Sequence, residues 1–132
     1  MTDAKLILIV EDNEKNLKLA RDVLRFKGLR TIEAGNAEDG IDLAIEHRPD
    51  LILMDVQLPG MDGVAALGRL RSEPRTAAIP VVAFTASVMK EDRERFDAAG
   101  FDGHLLKPID VKTFADQVRA YCDAGRQRGR DG

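Results

Sequence analysis

Between Lys5 and Tyr121, short apolar runs alternate with longer stretches whose apolar residues recur every three or four positions, and the alternation occurs five times. Leu6-Ile7-Leu8-Ile9-Val10, Leu51-Ile52-Leu53-Met54 and Val81-Val82-Ala83-Phe84 are apolar throughout, as strands covered on both faces must be. They are read as the central first, third and fourth strands. Arg30-Thr31-Ile32-Glu33-Ala34 mixes polar and apolar residues, and Gly103-His104-Leu105-Leu106 is short; both patterns suit the edges of a sheet. Strand followed by helix, repeated five times, implies right-handed crossovers. The expected fold class is therefore α/β, a doubly wound five-stranded parallel sheet in a three-layer sandwich with five helices.

Helix boundaries follow from caps and breakers. Asn13 opens the first helix, which carries Leu17, Ala20, Leu24 and the methylenes of Lys27 on one stripe and stops at Gly28. Asn36 opens the second, through Ile41, Ala44 and Ile45, and Pro49 ends it. The third follows the Pro59-Gly60 turn, uses Val64, Leu67 and Leu70, and ends before Pro74. The fifth is expected from an Asp110 cap through Val111, Phe114, Val118 and Tyr121. The fourth, Val88 to Ala99, has only Val88, Met89, Phe96 and Ala99 to bury around a Lys-Glu-Asp-Arg-Glu-Arg centre. It reads either as a solvated helix laced with charge pairs or as an element held loosely enough to move.

Composition narrows the function classes. A chain of 132 residues makes one domain, read as residues 5–121, with residues 122–132 as a flexible C-terminal tail in which Gly125 to Gly132 carry three arginines and no apolar anchor; Cys122 reads as a helix-end residue. The alternative for that tail is a phosphate-binding or partner-binding arm. A net charge of −3 is too small to recruit nucleic acid or an anionic membrane by field strength alone. The single cysteine, Cys122, forbids an intrachain disulfide, and the Leu6–Val10 run is too short for a signal-peptide core or a membrane span. A cytoplasmic setting is expected.

In open α/β sheets, ligands bind where the strands end. The first strand ends in Glu11-Asp12, the third in Asp55, the fourth in Thr85 and the fifth in Lys107-Pro108. Three converging carboxylates repel one another, each pair by ~1 kcal/mol in bulk water and ~4 kcal/mol at an effective dielectric of about 20. Lys107 balances one negative charge, so a divalent hard cation is needed for the rest. Mg²⁺ fits because it takes oxygen ligands, needs only one or two carboxylates and keeps waters that a phosphate oxygen can displace. With Glu11 and Asp12 on the metal, Asp55 can act as an oxygen nucleophile toward phosphorus and form an acyl phosphate. Mg²⁺, the Lys107 ammonium and the Thr85 hydroxyl would meet the charge on the transferring oxygens. Singly, each of these residues has an ordinary reading as a cap, a turn residue or a solvated charge; falling together on one rim, they point to phosphoryl transfer.

The runs Leu8-Ile9-Val10-Glu11-Asp12-Asn13, Leu53-Met54-Asp55-Val56-Gln57-Leu58-Pro59-Gly60-Met61-Asp62-Gly63, Phe84-Thr85-Ala86 and Lys107-Pro108 resemble the receiver domains of bacterial response regulators in two-component signalling. The resemblance covers about residues 5–121. It implies a flavodoxin-like fold with strand order 2-1-3-4-5, Mg²⁺ bound by Glu11, Asp12, Asp55 and the Gln57 backbone carbonyl, and phosphorylation of Asp55 by a histidine kinase or histidine phosphotransfer protein. Thr85 and Lys107 would hold the phosphoryl oxygens. Thr85 and the ring three residues before the lysine, here His104, would form the switch; an aromatic is usual at that place, and a surface histidine on an edge strand is the other reading of His104. The Lys107-Pro108 bond is expected to be cis.

With only residues 122–132 after Tyr121, no output domain is expected. The resemblance then points to a stand-alone regulator, a monomer or weak dimer, that binds a downstream protein through the face of the fourth helix, fifth strand and fifth helix, without direct DNA or membrane binding. Two alternatives remain. An aspartate-nucleophile phosphatase would use the same carboxylate, Mg²⁺ and lysine logic, but such hydrolases place a second Asp two residues after the nucleophile as general acid, where this chain has Gln57. A degenerate receiver would bind partners without phosphorylation.

Overall fold

The computed structural model describes residues 4–58, 60–86 and 90–125, with the side chains of 90–93 left out. Five strands, β1 (Leu6–Val10), β2 (Arg30–Ala34), β3 (Leu51–Asp55), β4 (Val81–Thr85) and β5 (Gly103–Leu106), alternate with α1 (Glu14–Phe26), α2 (Ala37–His47), α3 (Gly63–Ser72), α4 (Lys90–Ala99) and α5 (Phe114–Ala124). All pairings are parallel and the order is β2-β1-β3-β4-β5. The two polar or short runs thus stand at the edges, and the three wholly apolar ones lie inside. The arrangement is the doubly wound, flavodoxin-like sandwich expected of the sequence.

Because successive side chains of a strand point to opposite faces, each central strand feeds two cores. Ile7, Ile9, Leu51, Leu53, Val82, Phe84 and Leu105 pack with Ala20 and Leu24 of α1 and Phe114 and Val118 of α5. Leu8, Val10, Ile52, Met54, Val81 and Ala83 pack with Ile41 and Ala44 of α2, Leu67 and Leu70 of α3, and Phe96 of α4. The caps hold as read: the Asn13 and Asn36 side chains accept from the amides of Asn16 and Asp39 at 3.0 and 2.8 Å. Arg48 takes a left-handed conformation, φ 47°, and closes α2 ahead of Pro49.

Two of the expected helix stripes differ in the structure. In α1 the buried stripe is Ala20, Val23 and Leu24, and Lys27 is exposed; Val23 lies one turn before Lys27 on the face that meets the sheet. In the fifth unit, Asp110 caps a turn, not the helix: its Oδ1 accepts the Lys112 amide at 2.9 Å, Val111 is 54% exposed, and α5 begins only at Phe114, the first of its residues to reach the core. Of the fourth helix, Phe96 is buried and Ala99 packs against the same core, whereas Val88 and Met89 lie outside the described residues, as do Pro59 of the third turn and the tail from 126 onward.

α5 runs to Ala124, past the expected boundary at Tyr121, so Cys122 is a helical residue packed on the α1/α5 core. Burial, with Asp50 nearby, raises its thiol pKa to about 11. Near neutral pH its thiolate fraction then falls ~100-fold below that of an ordinary cysteine. Alkylation by iodoacetamide, followed by intact mass, should run about two orders of magnitude slower than that of glutathione; equal rates would contradict the burial. Among the described residues, no helix is long and apolar enough to cross a membrane.

Candidate functional site

The charged residues at the rim are continuations of apolar stripes. The Glu11 amide donates to Ala34 O at 3.0 Å and the Lys107 amide to Thr85 O at 2.8 Å, so the β1–β2 and β4–β5 ladders each run one residue past their strands. Counting by twos along the face toward α1 and α5, Ile7 and Ile9 lead to Glu11, Leu51 and Leu53 to Asp55, and Leu105 to Lys107. Three stripes of one face, those of β1 and its neighbour β3 and that of β5 beyond β4, therefore deliver two carboxylates and an ammonium to one end of the sheet. On the opposite face, Val81 and Ala83 lead to Thr85. Register sets His104 beside Ala83 and Leu106 beside Thr85, which puts His104 on the Thr85 side of the sheet edge, half-buried.

Lys107 Nζ lies 2.9 Å from Glu11 Oε1 and 3.4 Å from Asp55 Oδ2, and 5.3 Å from the centroid of the Phe84 ring. Glu11 and Asp55 are almost fully buried, and Asp12 is exposed. The second oxygens of the two buried acids are held by backbone: the Asn13 amide donates to Glu11 Oε2 at 3.0 Å, and the Gln57 amide to Asp55 Oδ1 at 2.9 Å. Burial is the main cause of a raised Glu11 pKa; the Lys107 ammonium and the Asn13 amide pull it back down, and neighbouring Asp55 adds to the rise.

One oxygen from each of Glu11, Asp12 and Asp55 lies within 4.8 Å of the others. The donors are hard oxygens without nitrogen or sulfur, two buried and one open to water, which fits a divalent ion that keeps part of its hydration. Of the residues expected at the site, Glu11, Asp12, Asp55 and Lys107 converge, the Gln57 amide, not its carbonyl, meets Asp55, and Thr85 closes β4; the Lys107-Pro108 bond is cis.

The cluster's chemistry gives a thermal test. A carboxyl whose folded pKa lies above its unfolded value binds protons more tightly in the fold, so its ionisation as pH rises lowers stability unless a cation compensates. Mg²⁺ should therefore raise the melting temperature at neutral pH, by an amount equivalent to ~2.7 kcal/mol at a hundredfold excess over Kd. The gain should shrink as pH falls through the raised Glu11 pKa and vanish below its ordinary value of 4.5. Melting curves with Mg²⁺ and with chelator across pH measure this, and coincident curves at neutral pH would contradict a metal site.

Gly63 has a role the sequence reading left unassigned. A Cβ there would sit 2.7 Å from Asp55 O and 2.8 Å from Val56 Cα, so only glycine lets α3 begin against the chain leaving β3. Asp62 caps that helix through the Ala65 amide at 2.8 Å. The signal available was a glycine directly after a capping Asp, inside the run that carries the phosphoacceptor candidate.

Residues 7–119 match the family model described as the response regulator receiver domain. The chain belongs to this family. A polar-differentiation response regulator, DivK, of Brucella anthropi is 44% identical over 117 residues, which is 89% of this chain and 95% of that protein. Among solved structures, the receiver domain of a sensor histidine kinase from Pseudomonas aeruginosa, with a magnesium ion coordinated in its active-site cleft, superposes with a TM-score of 0.83 at 30% identity, over 92% of this chain and 99% of that one. Chemotaxis protein CheY4 of Vibrio cholerae shares the fold, with a TM-score of 0.84 at 22% identity over 89% of this chain and 98% of that one. Receiver domains are signalling domains rather than classical enzymes, and they work with histidine kinases or phosphotransfer proteins and with downstream partners.

Proposed function

We propose that this receiver domain takes a phosphoryl group on Asp55 and signals as a stand-alone regulator through phosphorylation-dependent protein binding. The observation that carries the reading is the Lys107 ammonium shared between buried Glu11 and Asp55 beside a third carboxylate, Asp12. Asp55 Oδ1 is occupied by the Gln57 amide, so Oδ2, on the Lys107 side, is the nucleophile. It attacks phosphorus as the bond to the donor's imidazole nitrogen breaks; the Oδ2–P bond forms and the imidazole leaves with the electron pair. Lys107 and the Thr85 hydroxyl then hold phosphoryl oxygens. Mg²⁺, held by Glu11, Asp12, Asp55 and the Gln57 carbonyl, would supply the remaining neutralisation of charge.

Thr85 lies on the sheet face whose edge carries His104 and Leu106, so a shift of its hydroxyl toward Asp55 alters packing next to α4 and β5. We take that face, with α5, as the surface a downstream protein reads, and a histidine kinase or phosphotransfer protein as the donor. Kinship with a polar-differentiation regulator, 95% of whose own length is the matched region, supports the stand-alone form. Incubation with acetyl phosphate and Mg²⁺, followed by intact mass, should show one added phosphoryl group, lost when a chelator replaces Mg²⁺. Unchanged mass in the presence of Mg²⁺ would overturn the reading.

A further inference from the structure

Lysine carries its charge on a flexible four-carbon stem, so an ammonium that meets two acids, on a side chain 13% exposed, is held in place better by a further partner. The Phe84 ring supplies one. Its ring centroid lies 5.3 Å from Lys107 Nζ, within the ~6 Å over which a ring quadrupole attracts a cation. The ring is itself fixed: Phe84 is 1% exposed and stacks on Phe114, the first residue of α5, with centroids 6.1 Å apart and planes at 25°. The Lys107 amide bonded to Thr85 O, next in chain to Phe84, sets the start of the lysine stem beside that ring.

We propose that Phe84, backed by Phe114, is a positioning residue whose ring face holds the Lys107 ammonium between Glu11 and Asp55. The catalytic consequence rests on the phosphoacceptor reading above; the positioning rests on geometry alone. The two acids do not hold the lysine equally in every state, because Asp55 loses negative charge at Oδ2 once that oxygen is esterified. The ring does not change. It is the constant partner that keeps the ammonium at the site while the phosphoryl group arrives and leaves.

Fluorination drains negative potential from a phenyl face with little change in shape, so Phe84 is replaced in the full chain by mono-, di- and trifluorophenylalanine. The initial rate of acetyl phosphate uptake should fall with each fluorine, about three- to tenfold for the trifluoro variant, while thermal melting shows every variant folded. Independently of phosphorylation, ¹³C-lysine NMR should show the Lys107 ε-methylene protons shifted upfield by the ring and rotationally ordered. Both signatures should be lost in Phe84→Leu, or weakened across the fluorinated series if the leucine variant does not fold. A rate flat across the series, or Lys107 resonances as ordered without the ring as with it, would overturn the proposal. A wild type that takes up no phosphoryl group removes the function reading, and the lysine resonances then decide the positioning by themselves.

Discussion

Asp55→Asn should take up no phosphoryl group from acetyl phosphate with Mg²⁺, while the wild type should gain one. An amide oxygen is a poor nucleophile and carries no charge to share with a cation, so the substitution removes both the proposed attacking group and a candidate metal ligand. Fold should be spared, because asparagine fills nearly the same space at the end of β3 and its side-chain oxygen can accept the Gln57 amide that Asp55 Oδ1 accepts. It also relieves repulsion among three carboxylates whose oxygens lie within 4.8 Å, so in chelator the variant should melt no lower than wild type. Intact mass after incubation reads the first outcome and thermal melting the second. An undiminished adduct in Asp55→Asn would place the acceptor elsewhere.

The second large effect is on stability. Asp102→Ala should lower unfolding free energy by ~3–5 kcal/mol, the loss that follows when one partner of a buried ion pair is removed and the other is left behind. The Asp102 side chain is fully buried and accepts from Arg71 Nη2 at 2.8 Å and from the Val81 amide at 2.9 Å. Arg71 Nη1 in turn donates to Ile79 O at 2.6 Å, and the Asp102 amide to Val81 O at 2.8 Å. The end of α3, the entry to β4 and the entry to β5 are thus tied at a single carboxylate. Against a total stability of about 5–15 kcal/mol the loss is a large fraction, and urea unfolding measures it. Because this knot lies at the opposite end of β4 from Thr85, the folded variant should still accept a phosphoryl group on Asp55. A loss below ~1 kcal/mol would mean the pair offsets little more than its own desolvation.

Near-neighbour signals were legible. Unbroken apolar runs marked β1, β3 and β4 as central and mixed or short runs marked β2 and β5 as edges, since a strand's burial on one or two faces is written in its own residues. Asn13 and Asn36 announced their helices because a cap acts within three residues. Errors arose where the deciding partner is far along the chain. Val111 has the right spacing for a helical stripe, but the core begins at Phe114, which meets Phe84 of the sheet; Val111 stays outside. Lys27 and Val23 could both have been assigned to the α1 stripe, and the position of the sheet chose Val23. Asp102 drew no reading at all, since nothing local shows that Arg71 meets it from 31 positions away.

The same division holds for the site. The sequence alone determined which residue types terminate the strands, hence an oxygen-rich rim with one lysine and one hydroxyl, and its motifs pointed to the receiver family. Only the tertiary structure decided that Glu11, Asp55 and Lys107 share one sheet face while Thr85 belongs to the other, that Lys107 bridges the two buried acids, and that Phe84 lies beneath its ammonium. The reason is physical: side-chain alternation and caps act over a few bonds, whereas the meeting of charges from β1, β3 and β5 depends on register and crossovers that set distant stripes side by side.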